Sequence, residues 1–318
     1  MGPLVAHCFV TRQLPGPGLD RLRERHTVEV WPERLPPGPA ELRAGVAEAE
    51  GLLCLLTDRI DGELLAAAPG LRAIANYAVG YDNIDLQAAA DRGIAVGNTP
   101  DVLTDATADL TWALLMAAAR KLPEATMAAR DGDWLTWEPG SYLGHDVHGA
   151  TLGIIGMGRI GRAVGDRAAG FAMTVLHTGR SGGVPLDELL ERADFVSVHC
   201  PLTPETHHLI DAAALARMKR TAILVNTARG PIVDQGALVQ ALRDGQIAGA
   251  ALDVTDPEPP PADDPVFSTP NLIVAPHIGS ATHTARARMT DLAVDNLLAA
   301  LDGEPMPHAV KLPDTRRS

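Results

Sequence analysis

Arg229 in NTARG, Glu258 in DPEP and His277 in PHIG each come just after an apolar run that reads as a buried strand. A guanidinium is a planar fork that grips a carboxylate or keto-carboxylate through two hydrogen bonds. An imidazole changes charge near neutral pH and can carry a proton, and a carboxylate hydrogen-bonded to it favours its charged form. Together the three read as an anion clamp, a proton carrier and the group that governs its charge. Each has a structural alternative: an ion pair for Arg229, a solvated acid for Glu258 in its proline-stiffened turn, and a satisfied core histidine for His277.

Upstream, the run TLGIIG leads into Gly156-Met157-Gly158-Arg159-Ile160-Gly161 and then into a helical pattern. Glycines at this spacing mark many tight turns, but a strand before, a helix after and a second strand on schedule make the dinucleotide reading strong. Gly156 makes the turn, Gly158 lets the backbone approach a pyrophosphate, and Gly161 allows close packing of helix on sheet. The helix N-terminus then offers N–H groups and the positive end of its dipole to the phosphates. About 20 residues on, a carboxylate would mark recognition of the 2′-hydroxyl of NAD. Here the strand ends His177-Thr178-Gly179-Arg180-Ser181. With no acid to repel a 2′-phosphate, and Thr178, Arg180 and Ser181 able to bind one, NADP(H) is the expected cofactor and NAD(H) remains usable. A solvated Arg180 is the alternative.

These residues need a frame to hold them. Short β-rich runs at 4–10, 27–31, 51–56, 72–77 and 93–97 alternate with helical segments, which indicates a parallel sheet wrapped by helices. After a Gly- and Trp-containing loop (131–149) a second, more regular series follows: TLGIIG, MTVLH, DFVSVHC, AILVN, GAALDV and NLIVAP. The mostly apolar helix from Val102 to about Ala119 must be buried between layers or between domains. A final helix from Thr282 to about Leu301 is placed to return the chain to the first domain. The expected fold class is α/β with parallel sheets, in two domains: 1–100 plus 282–318, and a dinucleotide-binding domain over 101–281. Ligands of open α/β sheets bind at the carboxyl ends of the strands. The Gly156 loop, Thr178, Cys200-Pro201, Thr227-Ala228-Arg229, Asp253 and His277 are therefore expected along one crevice.

Composition narrows the partners. The chain of 318 residues is 46% apolar, enough for two domains with cores of ordinary size. Its net charge of −13 opposes attraction to nucleic acid or anionic membranes, so an anionic substrate needs a local positive site. No apolar run reaches the roughly 18 residues of a membrane span, and the N-terminal residues do not read as a signal peptide. A cytoplasmic protein is expected. Cys8, Cys54 and Cys200 lie singly in apolar runs, without CxxC spacing. No metal site is expected, because His207-His208 and Asp263-Asp264 are adjacent pairs rather than convergent ligands. His145, His148, His199 and His283 read as structural.

GMGRIG, PLTPETHHLI, the run from ILVNTARGPIVDQGALVQAL to GAALDV, DPEP and APHIGSAT resemble the signature blocks of the D-isomer-specific 2-hydroxyacid dehydrogenases, over nearly the whole chain. Within that family NYAVGYDNID, GNTPDVLTDATADL, HTGR, LDVTDPEP, HIGSATH and GEPMP most resemble the glyoxylate/hydroxypyruvate reductases. The resemblance implies flavodoxin-like and Rossmann-like domains, the first built from both chain ends, with catalysis in the cleft between them and hinges near Pro100 and near 280–284. It implies Arg229, Glu258 and His277 as the catalytic set that reduces a small 2-keto acid to the D-2-hydroxy acid, His277 being the proton donor. Carried over residue by residue, it places the substrate against the backbone of Val79-Gly80 and beside Ser280. Asp253 is expected near the nicotinamide carboxamide, and Thr107, Arg159, Ile160, Cys200, Thr206 and Thr227 near the cofactor.

A homodimer is implied as well, with the helix from Val102 and the loop 134–142 as interface. Trp137 is the residue to test for reach into a neighbour's site, local packing being its alternative. Two other readings stay open. One is a related reductase for a bulkier acid such as 2-ketogluconate, which shares the groups Arg229 would grip. The other is a dinucleotide-sensing binding protein without turnover, against which the intact Arg229, Glu258 and His277 set argues.

Overall fold

Runs such as Gly51–Cys54, Ala73–Asn76 and Ile223–Asn226 show no polar alternation because both of their faces are covered, as in parallel sheets with helices on either side. The computed structural model describes residues 5–180 and 182–315. The chain divides into two compact units, Met1–Leu103 with Ala281–Ser318, and Thr104–Ser280. All eleven apolar runs read as strands form strands.

In the first unit β1 (His7–Val10), β2 (Thr27–Val30), β3 (Gly51–Cys54), β4 (Ala73–Asn76) and β5 (Ala95–Gly97) make a parallel sheet in the order β2-β1-β3-β4-β5. Its helices are α1 (Gly18–Arg23), α2 (Pro39–Val46), α3 (Gly62–Ala66), α4 (Leu86–Asp91) and the long helix His283–Leu301. Asp61, Asp85 and Thr282 cap three of them, accepting from the N–H groups of Leu64, Ala88 and Ala285. The chain end returns to this sheet, where Val310 N–H donates to the Val96 carbonyl at 2.7 Å. Phe9, Leu52, Leu65 and Ile74 lie at the centre of its core.

In the second unit β6 (Thr151–Ile155), β7 (Thr174–Thr178), β8 (Phe195–Val198), β9 (Ile223–Asn226), β10 (Gly249–Leu252) and β11 (Leu272–Val274) are all parallel, in the order β11-β10-β9-β8-β6-β7. Strand order reverses between β6 and β8, the place where such sheets leave a crevice beyond their carboxyl ends. The helices are α5 (Thr104–Ala119), α6 (Leu122–Asp131), α7 (Arg159–Ala168), α8 (Leu186–Arg192), α9 (Ala212–Arg217) and α10 (Gln235–Arg243). Helix α5 packs on α7, β9 and β10, which accounts for its apolar surface. Trp112 of α5 stacks on Phe171 at 4.7 Å between ring centroids, and its indole N–H donates to the Val164 carbonyl at 3.0 Å. The helix starts two residues later than expected, after Asp101, whose φ of 69° is left-handed and cannot continue a right-handed turn. In contrast, α6 buries no side chain. Among the described residues no helix is long and apolar enough to cross a membrane.

Candidate active site

The glycine loop joins β6 to α7. Gly156 has φ 98°, and a Cβ there would stand 2.5 Å from Cys200 N; at Gly161 it would stand 2.1 Å from the Gly156 carbonyl oxygen. Neither position admits a side chain. Gly158 differs, since nothing lies within 4 Å of where its Cβ would be. The space in front of it is open to a phosphate. Gly158 is also the N-cap of α7, and no side chain caps the first N–H groups of that helix, which Arg159 and Ile160 begin. Uncapped N–H groups at the positive end of a ten-residue helix fit a pyrophosphate.

The end of β7 is tied to this loop by Gly156 N–H donating to the Thr178 carbonyl at 2.9 Å. Thr178 is half-buried and Arg180 exposed. The exposed Glu205 carboxyl is held below its usual range by a Thr203 hydrogen bond first, then by its own backbone N–H, with a weaker contribution from Arg180. Ser181, the remaining candidate for a 2′-phosphate, lies outside the described residues.

The carboxyl ends of β9, β10 and β11 bring the ionisable residues together. Asn226, Leu252 and Val274, the last residues of the three strands, are partners in register. Neighbouring strands lie about 4.8 Å apart. The chain thus leaves the sheet toward Arg229, Asp253 and His277, three, one and three residues further on, at points within about two strand spacings of one another. His277 Nδ1 lies 2.5 Å from Glu258 Oε1, with both side chains under one-third exposed. Glu258 Oε2 also accepts from Thr255 N–H at 3.4 Å.

His277 has a φ of 53°, in the left-handed region. Its turn is held by Asp253, whose carbonyl accepts from His277 N–H at 2.9 Å. The Asp253 carboxylate oxygens each accept at 2.7 Å, one from Ile278 N–H and one from Gly279 N–H. Burial pushes the Asp253 carboxyl above the ordinary range against the pull of these donors. Asp253 thus carries the proline-histidine-isoleucine-glycine turn, a role its expected place beside a carboxamide did not foresee.

The Arg229 segment is fixed by Asn226 and Gly230, to which the sequence reading gave no role of their own. The buried Asn226 accepts from Ala228 N–H at 3.0 Å through Oδ1 and donates through Nδ2 to the Arg229 carbonyl at 2.9 Å. Arg229 Nη1 donates to the Ala228 carbonyl at 2.9 Å. At Gly230 a Cβ would stand 1.9 Å from the Thr255 carbonyl oxygen, so the segment carrying Arg229 rests directly on the turn that carries Glu258. A polar residue closing an apolar run and a glycine after an arginine were the available signals.

The other expected contacts distribute as follows. Thr227 is linked to α5: Thr111 Oγ1 donates to the Thr107 carbonyl at 2.8 Å and therefore accepts from Thr227 Oγ1 at 2.9 Å. Gly279 packs close to Thr107, and the half-buried Ser280 follows it. Cys200 backs onto Gly156, and burial pushes its thiol up to about 11. Thr206 spends its hydroxyl within its own loop, donating to the Pro201 carbonyl at 2.7 Å and accepting from Thr203 N–H at 2.8 Å. Val79 and Gly80 belong to the first unit, after β4, and are half-buried. His199 contacts Ser197 Oγ at 2.7 Å, and burial pushes its imidazole down to about 4, so it is neutral and structural. Among the described residues no group of three His, Cys, Asp or Glu could hold a metal ion.

Residues 112–279 match the sequence profile of the family described as D-isomer specific 2-hydroxyacid dehydrogenase, NAD binding domain. The chain belongs to this family. It is an oxidoreductase that uses a nicotinamide dinucleotide, in keeping with the open glycine loop. A glyoxylate reductase of Korarchaeum cryptofilum is 50% identical over 314 residues, 95% of each chain. Among solved structures, the TT0316 protein of Thermus thermophilus aligns with a TM-score of 0.92 at 52% identity, covering 96% of this chain and 100% of that one. The NADPH-dependent glyoxylate/hydroxypyruvate reductase of Sinorhizobium meliloti, in complex with NADP and malonate, aligns with a TM-score of 0.87 at 33% identity, covering 99% of both. The likeness spans both units.

Proposed function

We propose that this dehydrogenase reduces glyoxylate and hydroxypyruvate to their D-2-hydroxy acids, with NADPH preferred to NADH, and that Arg229, Glu258 and His277 carry the chemistry. The observation that carries this reading is the 2.5 Å contact of His277 with Glu258, on strand ends in register with the one that leads to Arg229. Glu258 takes the Nδ1 side of the imidazole, which leaves Nε2 to exchange the substrate's proton. Bound NADPH supplies the hydride that reaches the keto carbon. His277 gives its Nε2 proton to the keto oxygen as negative charge grows there, and takes it back in the oxidising direction. Arg229 binds the keto-carboxylate and offsets the same charge.

Val79, Gly80 and Ser280 are assigned to substrate, and Thr107, Gly156, Gly158, Arg159, Ile160, Gly161, Cys200, Pro201, Thr206, Thr227 and Asp253 to the cofactor. Thr206 and Asp253 act there chiefly by shaping the loops that their side chains hold. Thr178 and Arg180 are assigned to the 2′-phosphate. Residues 178–180 include no acid to repel that group, and the Sinorhizobium relative is described as NADPH-dependent.

The protein is proposed to act as a cytoplasmic homodimer. Its three cysteines are free thiols, as a reducing compartment allows. Leu122, Met127, Trp134, Leu135, Trp137 and Leu143 are all more than half exposed on α6 and the segment after it, a patch that suits a second copy. Initial rates with a panel of 2-keto acids, each with NADPH and with NADH, test the reading. Glyoxylate and hydroxypyruvate should lead, and NADPH should exceed NADH in kcat/KM. A leading rate with 2-ketogluconate would move the substrate assignment, and nucleotide binding without turnover would make the protein a sensor.

A further inference from the structure

Three successive peptide units after β4 have their carbonyls held inside the first unit. The Ala78 carbonyl accepts from Thr99 N–H at 2.9 Å, the Val79 carbonyl from Asn98 Nδ2 at 2.8 Å, and the Gly80 carbonyl from Asn76 Nδ2 at 2.8 Å. In a trans peptide the carbonyl and the N–H of the next residue point opposite ways, and among the described residues the cis bonds are Asp256-Pro257 and Glu258-Pro259. The N–H groups of Val79, Gly80 and Tyr81 are therefore turned away from the groups that hold the carbonyls. Among the described residues none of the three donates to a protein acceptor. Val79 and Gly80 are half-buried and Tyr81 is exposed. Successive backbone N–H groups presented in this way bind anions.

The two asparagines are themselves fixed. Asn76 is fully buried; its second amide hydrogen goes to Asn83 Oδ1 at 3.1 Å, and its Oδ1 faces Cys54 Sγ at 3.5 Å. Asn83 in turn donates to the Leu55 and Asp58 carbonyls, both at 3.0 Å. The backbone of Asn98 donates to the His308 carbonyl at 3.1 Å and accepts from Asn296 Nδ2 at 2.9 Å. The Asn76 amide cannot rotate without leaving a buried group unpaired, and the Asn98 backbone is held from both sides.

We propose that Asn76 and Asn98 are positioning residues for carboxylate recognition: by holding the Gly80 and Val79 carbonyls they aim the N–H groups of Tyr81 and Gly80, together with that of Val79, at the substrate carboxylate. This deepens the reading under which the Val79-Gly80 backbone receives the substrate. Tyr81 adds a third donor to it. The cradle is made of neutral dipoles, so its orientation rather than any charge is what the asparagines supply.

The test compares wild type with Asn98→Ala, which removes the donor, and Asn98→Asp, which keeps the shape but sets an acceptor against the Val79 carbonyl. Circular dichroism melts and NADPH affinity, read by fluorescence, establish that each variant is folded. The KM for glyoxylate should rise about 10-fold or more in both, the loss falling on KM rather than kcat, as the misorientation of the Gly80 N–H donor to an anion implies. Calorimetric binding of oxalate to the enzyme saturated with NADP should weaken in parallel. Equal oxalate affinity in wild type and both variants overturns the proposal, and so does a wild type that binds no oxalate. A wild type that reduces none of the acids yet binds oxalate in an Asn98-dependent way sinks the functional reading and leaves the cradle standing. If both Asn98 variants fail to fold, Asn76→Asp is measured in the same way, and an unchanged oxalate affinity there overturns the proposal.

Discussion

Gly230 is where the geometry makes its sharpest demand. In Gly230→Ala the added methyl would stand 1.9 Å from the Thr255 carbonyl oxygen and 2.2 Å from its carbon, whereas Cβ atoms essentially never come within 3.0 Å of another heavy atom. One of the two segments must therefore recede by about 1 Å, and a misplacement of that size in a reacting group costs on the order of 100-fold in rate. One segment carries Arg229 and the other Glu258, so either movement spoils the same arrangement. Overpacking of this kind also costs about 1–3 kcal/mol of stability, roughly 2–4 °C of Tm per kcal/mol in a domain of this size. The assay is kcat/KM for glyoxylate with saturating NADPH, alongside a thermal melt and a fluorescence titration with NADPH. The expected result is a loss near two orders of magnitude in kcat/KM, a modest fall in Tm, and nucleotide affinity close to that of wild type, because Gly156, Gly158 and Gly161 belong to a different segment, the junction of β6 with α7. A variant within about threefold of wild type in kcat/KM would refute the claim that this backbone contact sets the catalytic geometry.

Glu258→Gln keeps a hydrogen bond to His277 Nδ1 but removes the charge, and the difference of about 1–1.5 kcal/mol between a charge-assisted and a neutral bond predicts a roughly 5- to 10-fold fall in reductive kcat. A kcat equal to that of wild type would remove Glu258 from the role. Arg180→Ala should lower kcat/KM with NADPH while sparing NADH; equal losses with both would mean that Arg180 does not read the 2′-phosphate. Asp194 offers a pH test of the fold. Its burial alone would raise the carboxyl, but the Lys219 ammonium at 2.7 Å and Thr151 N–H at 2.9 Å outweigh this and hold it below its ordinary value of 3.8. A carboxyl lowered on folding stabilises above its unfolded value and loses that contribution as pH falls through the folded one. Asp194→Asn should therefore melt below wild type at neutral pH, with the gap closing in acid; a constant gap would contradict this.

Much of this protein is written in local pattern. Strand runs such as ILVN and AIAN declare themselves because a strand covered on both faces needs no polar alternation. Gly156, Gly158 and Gly161 declare themselves because only glycine permits that turn and that approach. Arg229, Glu258 and His277 stand out as candidates for a related reason: each follows within six residues of a strand's carboxyl end, where such sheets bind ligands.

Local pattern therefore settles the order of the elements, the glycine loop and the residue types at the strand ends. What those residues touch is settled only when the chain folds. Asn226, Leu252 and Val274 are aligned by sheet register, a long-range choice made by packing. Asp253 carries the His277 turn, and Gly230 presses on Thr255, across separations of about 25 residues. The aim of the Val79, Gly80 and Tyr81 N–H groups depends on carbonyls held by Asn76, Asn98 and Thr99. A peptide plane has no side chain to announce its direction, so that direction exists only once the folded chain has chosen a partner for each carbonyl.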